Sequence, residues 1–213
     1  NVAGSNITGL ETISVLKSVN AAVHANSTTD VNVSGATGTI DVSGGKNIVV
    51  NDATANKAIV IGETATFAGV TKTNATGTIT VTDTDNSAAN AITVNGGTDV
   101  TVTATATAST TGAIAIGGAK AATGDVKVTQ NNNFDGATAD MKNTGAITVT
   151  GGKTVEVTVN NTITAKDKTA KFDIDNSGQT ITVNSDGKTT DVTVKQNSTV
   201  TEFVTPETAL VNG

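Results

Sequence analysis

The sequence predicts an all-β protein, a repetitive β-solenoid or β-roll of short strands, and three observations carry that prediction. Apolar residues come in pairs two apart, as in Ile40/Val42, Ile79/Val81, Ile92/Val94 and Ile147/Val149, the period of a strand with one buried face. One phrase recurs: TIDVSGGKNIVV from Thr39, AITVNGGTDVTVT from Ala91 and AITVTGGKTVEVTV from Ala146. Its glycine pairs, Gly44-Gly45, Gly96-Gly97 and Gly151-Gly152, lie 52 and 55 residues apart, and such a period is the mark of a repeat architecture. Finally, the chain has no Trp or Tyr and 2% aromatics, so its core is thin and built from Val, Ile and Ala. The 44 Thr residues suit strands through their β-branched side chains, and the 22 Gly and 22 Asn suit turns.

Residues 1–37 are the least repetitive and lead into the repeats. Thr8-Gly9-Leu10-Glu11 matches a capping box, and Ile7, Leu10, Ile13, Leu16 and Val19 follow at spacing three, a helical face. Against a helix stand the β-branched residues Thr12, Ile13, Val15, Val19 and Val23. Residues 38–199 divide into three repeats of about 53 residues, at 38–90, 91–144 and 145–199. Each holds two strand pairs. The stretch Asn131–Asn143 (NNNFDGATADMKN) lacks alternation and reads as an exposed loop. The tail 200–213 holds the single proline, Pro206, and leaves the repeat.

Two architectures fit this pattern. In a solenoid, rungs of about 20 residues stack roughly 4.8 Å apart, giving about ten rungs and a rod of ~50 Å. In tandem antiparallel β-sandwich modules the Gly-Gly turns close hairpins instead, and Asn95-Gly96 is a good hairpin signal. Two inward residues per short strand barely offset backbone entropy in one unit. Stability therefore comes from neighbours stacked within a chain or between chains.

Composition excludes several functions. The net charge is −6, with 13 lysines, no arginine and no basic patch, which argues against nucleic acid. No long apolar run is present for membrane insertion. With no cysteine there is no disulfide, thiol catalysis or Cys-based zinc site. The first residue is Asn1, which reads as a processed product or a fragment.

Candidate chemistry rests on two acidic turns. Asp83-Thr84-Asp85-Asn86-Ser87 ends one strand, and Asp173-Ile174-Asp175-Asn176-Ser177-Gly178 ends another. Carboxylates two apart supply hard oxygens for calcium, so Asp83, Asp85, Asp173, Asp175 and Asn176 are the candidate metal ligands. Solvated turns of good turn formers are the competing reading, and the bidentate glutamate of an EF-hand is replaced by Asn184. His24 is the single histidine and has no acidic partner nearby in sequence, so no catalytic residue is assigned. Asp186 and Asp191 flank the Gly187-Lys188 turn as solvated groups. The six Asn-x-Ser/Thr sequons match chance for this composition.

The segments GAITVTGGKTVEVTV (Gly145–Val159), TITVNSDGKTTDVTVKQNSTVT (Thr180–Thr201) and GLETISV (Gly9–Val15) resemble the Thr/Val/Gly-rich repeats of bacterial surface-layer proteins and related secreted β-strand-repeat proteins. The resemblance spans about residues 9–200 at the level of composition and repeat. It implies an extracellular lattice or filament subunit of the bacterial cell surface, often calcium-dependent in assembly. The implied partner is the protein itself, with cell-surface polysaccharide as a further candidate. No catalytic residue carries over, and the calcium nonapeptide of one subset is missing here. A repeat spacer of a secreted adhesin is the alternative, and a polysaccharide-active β-helix enzyme is third.

Overall fold

The computed structural model describes residues 9–52, 57–63, 71–87, 90–107, 110–137, 140–165 and 174–201. All secondary structure among them is β, and the strands alternate between two parallel sheets. The longer sheet has eight strands: β1 (Thr12–Leu16), β3 (Asp30–Ser34), β5 (Ile48–Asp52), β7 (Ile79–Asp83), β9 (Val100–Ala106), β11 (Val126–Ala137), β14 (Thr154–Ala165) and β17 (Asp191–Thr201). The other has seven, in chain order: β2 (Ala21–Ala25), β4 (Ile40–Gly44), β6 (Ile59–Ile61), β8 (Ile92–Val94), β10 (Ile114–Ile116), β13 (Ile147–Thr150) and β16 (Ile181–Asn184). β12 (Met141–Lys142) and β15 (Ile174–Asp175) form a third, two-stranded sheet. The protein is a β-solenoid, each rung laying one strand on each main sheet.

Parallel pairing throughout the sheets rules out the antiparallel sandwich. The glycine pairs are corners between sheets, not hairpin ends. Gly44, Gly45, Gly96, Gly97, Gly151 and Gly152 all have φ between 73 and 96°, a region costly for residues with a Cβ. Close stacking adds a second reason. A Cβ on Gly44 would lie 2.1 Å from the Ala25 carbonyl oxygen of the preceding rung.

The core is four aliphatic columns. Along the longer sheet, Ile13, Val31, Ile48, Ile79, Val100, Val126, Val155 and Val192 lie in register. Beside them run Val15, Val33, Val50, Val81, Val102, Val128, Val157 and Val194. On the facing sheet, columns run from Ala21 to Ile181 and from Val23 to Val183. Inward residues of the middle rungs are fully buried, each aliphatic side chain contributing about 1.5–3 kcal/mol. Residues 38–90, 91–144 and 145–199 each contribute two strands to both main sheets, β17 running on to Thr201.

One open reading is settled and two expectations are corrected. The helical spacing near Leu10 gives way to strand β1, because Ile13 and Val15, two apart, both pack on the core as β-branched strand residues. The predicted ten rungs are eight strands deep in the longer sheet, because the rungs lengthen along the chain. Thr12 lies opposite Asp30, 18 residues on, whereas Val155 lies opposite Val192, 37 residues on. Lastly, residues 131–137 are strand, not loop. Asn131, Asn132 and Phe134 continue β11 in register with Asn160, Asn161 and Ile163. The wider rungs hold a second small core of Met141 and Ile163, flanked by Phe134 and Ile174.

Candidate functional site

The acidic turns fall on separate rungs. Asp83 is buried at the end of β7, where its Oδ1 accepts the Asp85 N–H at 2.9 Å and its Oδ2 accepts from Asn86 Nδ2 at 3.5 Å. The Asp85 carbonyl accepts from Asn90 Nδ2 at 2.9 Å. In the second turn Asp175 Oδ1 accepts the Ser177 N–H at 2.9 Å. Hydrogen bonds from Ser177, with Lys142 nearby, hold the Asp175 carboxyl below the usual range. Asn176 Oδ1 accepts from Asn161 Nδ2 at 3.0 Å and from Asn143 Nδ2. Asp173 lies outside the described residues. Among the described residues no group of three or more His, Cys, Asp or Glu side chains is placed to hold a metal ion. The side-chain oxygens of Asp83, Asp175 and Asn176 act as turn and ladder acceptors.

His24 has a neighbour that its sequence context hides. It sits on β2 opposite Ser43 of β4, with Nδ1 at 3.3 Å from Ser43 Oγ. Ser43 is fully buried, and its Oγ accepts the Thr73 N–H at 2.9 Å. A sealed hydroxyl committed to backbone closes a corner and is not presented to a substrate. Only the alignment of Ala21/Val23 with Ile40/Val42 reveals this pair.

Polar residues otherwise serve the stacking. At the corner entering the longer sheet, a side chain on one rung accepts a backbone N–H from the next. Asp30 Oδ1 takes Asn47 N–H at 3.2 Å, Asn47 Oδ1 takes Thr78 N–H at 3.0 Å, and Asp99 Oδ1 takes Asp125 N–H at 2.8 Å. Inside the wide rungs, buried Asn132 Nδ2 donates to Asn161 Oδ1 at 2.7 Å, and Asn161 in turn donates to Asn176. Gln130, also buried, accepts from Gln179 Nε2 at 2.9 Å. Outside, Asn197 donates to Asn160 at 2.8 Å and Asn160 to Asn131 at 2.9 Å. Glu156 lies 3.4 Å from Lys127 Nζ and 3.5 Å from Lys195 Nζ. The Lys127 ammonium, chiefly, holds the Glu156 carboxyl below its ordinary value.

The candidate site is therefore the pair of rod ends. Among the described residues β17 hydrogen-bonds only β14, and all eleven of its residues are exposed. Val192, Val194 and Val200 are 51, 48 and 53% exposed although they continue buried columns of the preceding strand. At the other end, among the described residues, β1 bonds only β3, Ile13 and Val15 are half-buried, and Leu16 is exposed. An uncovered parallel edge with apolar inward residues is a template for strand addition. No family model, curated protein or solved structure matches this chain.

Proposed function

We propose that this chain is a non-catalytic structural protein of the bacterial cell surface, assembling with itself into a surface layer or extracellular filament. The observation that carries the reading is that no described strand covers the far edge of β17, whose valines extend the core columns into solvent. Rung-to-rung cohesion supports it, because each rung adds stability through its neighbours and a bare terminal rung lacks one. The polar inventory supports it too: Asp30, Asn47, Ser43, Asp83, Asp99 and Asn161 are engaged in holding backbone or neighbouring rungs.

Analytical ultracentrifugation over a wide concentration range, followed by electron microscopy, tests the reading. Concentration-dependent growth into rods or sheets is expected. A particle that stays monomeric at the highest concentration overturns it. A repeat spacer in a secreted adhesin is the second reading, favoured by the continuity of columns from β1 to β17. It predicts a longer natural chain with a distinct binding tip, visible as a stalk by electron microscopy.

A further inference from the structure

The geometry points to β17 as the docking edge for a second copy of this chain, whose β1 adds to it in parallel. Thr12–Leu16 of that copy would lie opposite Asp191–Lys195. The inference rests on the self-assembly reading and specifies its contact.

Register argues first. The two core columns of the longer sheet start at Ile13 and Val15 and end at Val192 and Val194. Placing Ile13 of one copy over Val192 of another, with Val15 over Val194, continues both columns without changing phase. Backbone polarity argues second. The inward residues Val31, Ile48, Ile79 and Val100 each donate their N–H to the following strand, as in Val31 N–H to the Asn47 carbonyl at 2.8 Å. Val192 and Val194 hold the same column positions, so their N–H groups face the open edge. On β1 the odd residues face β3, shown by Lys17 N–H to the Ser34 carbonyl at 2.9 Å and Asp30 N–H to the Glu11 carbonyl at 2.8 Å. The N–H of Ser14 therefore faces outward, placed to meet the Val192 carbonyl.

Asp191 argues third. It occupies the corner position of Asp30, Asn47 and Asp99, each of which accepts a backbone N–H from the next rung. In the stacked pair that donor is Thr12 of the second copy. The five-residue contact is small and leaves Val200 outside it, so association depends on concentration.

Two variants of the full chain separate the ends. Val194→Lys places a charge in the apolar column of the β17 edge. Ser14→Pro removes an outward N–H from β1 without touching a bond to β3. Circular dichroism and thermal melting check that both stay folded. Each alone should sediment as a monomer, and their equimolar mixture should give a heterodimer, since one retains β1 and the other β17. Asp191→Ala should weaken association about tenfold, the effect of one hydrogen bond to a charged acceptor. If Ser14→Pro still dimerises, the contact is β17 to β17 and the inference fails. If wild type polymerises and both variants polymerise equally, the inference fails while self-assembly stands. If wild type remains monomeric, both fail.

Discussion

Individual residues here answer to the rung above and the rung below. Gly44 shows the strictest case, with φ at 73° and a neighbouring-rung carbonyl oxygen 2.1 Å from where a Cβ would sit. Gly44→Ala should therefore lower stability by about 3 kcal/mol or more, since left-handed backbone and a backbone clash combine. Gly118 lacks both restraints, with no atom within 4 Å of a built Cβ and no positive φ. Gly118→Ala should be neutral or stabilise by roughly 0.4–1 kcal/mol through the unfolded chain. Chemical denaturation of the two variants, side by side, checks the contrast. Glu156 gives a charge-based case. Its carboxyl pKa is depressed in the folded state, so its contribution is present above the unfolded value and is lost as pH falls through the folded one. A carboxyl-detected NMR titration should place its midpoint below 4.5, moving upward in high salt as Lys127 and Lys195 are screened. A midpoint that ignores salt would contradict the Coulomb origin.

Elements differ in how much of them sequence reveals. Strands such as Ile92–Val94 and Val100–Ala106 were legible because their apolar residues alternate and glycines bound them. The extension of β11 past Gln130 was not, because its inward residues there are amides rather than aliphatics. Asn131 and Asn132 read as turn formers until Asn160 and Asn161 are laid over them. Only register distinguishes a ladder from a loop, and register is a long-range property. The same reason hid Ser43 beside His24. The acidic turns were legible as turns, but their carboxylates accept backbone N–H groups. The inner amide ladder makes its own prediction. Asn161→Ala removes a buried side chain that accepts from Asn132 and donates to Asn176. Leaving the buried Asn132 amide unmatched costs about 1–3 kcal/mol, while Asn176 keeps its bond from Asn143. Asn197→Ala, at the exposed end of the outer ladder, should change stability by less than about 0.5 kcal/mol. Thermal unfolding of both variants is the measurement.

At the scale of the whole molecule, stability is a sum over stacked neighbours, so terminal rungs open more readily than central ones. Hydrogen exchange reads this directly and also reads assembly. In a dilute monomer the amides of Val192, Val194 and Ser14 face no strand among the described residues and should exchange fast. The amides of Val31, Ile48 and Val100 are bonded to following strands at 2.8–2.9 Å and should be protected. Raising the concentration should slow exchange at Val192, Val194 and Ser14 together, because stacking β1 on β17 buries both edges in one event. The three central amides should not change, since their partners belong to the same chain. Slowing at Val192 and Val194 with Ser14 still fast would place a different partner on the β17 edge. Slowing at all six sites alike would mean global stabilisation rather than a new strand pair. The coupled response of two edges at opposite ends of one rod is the signature expected of head-to-tail stacking.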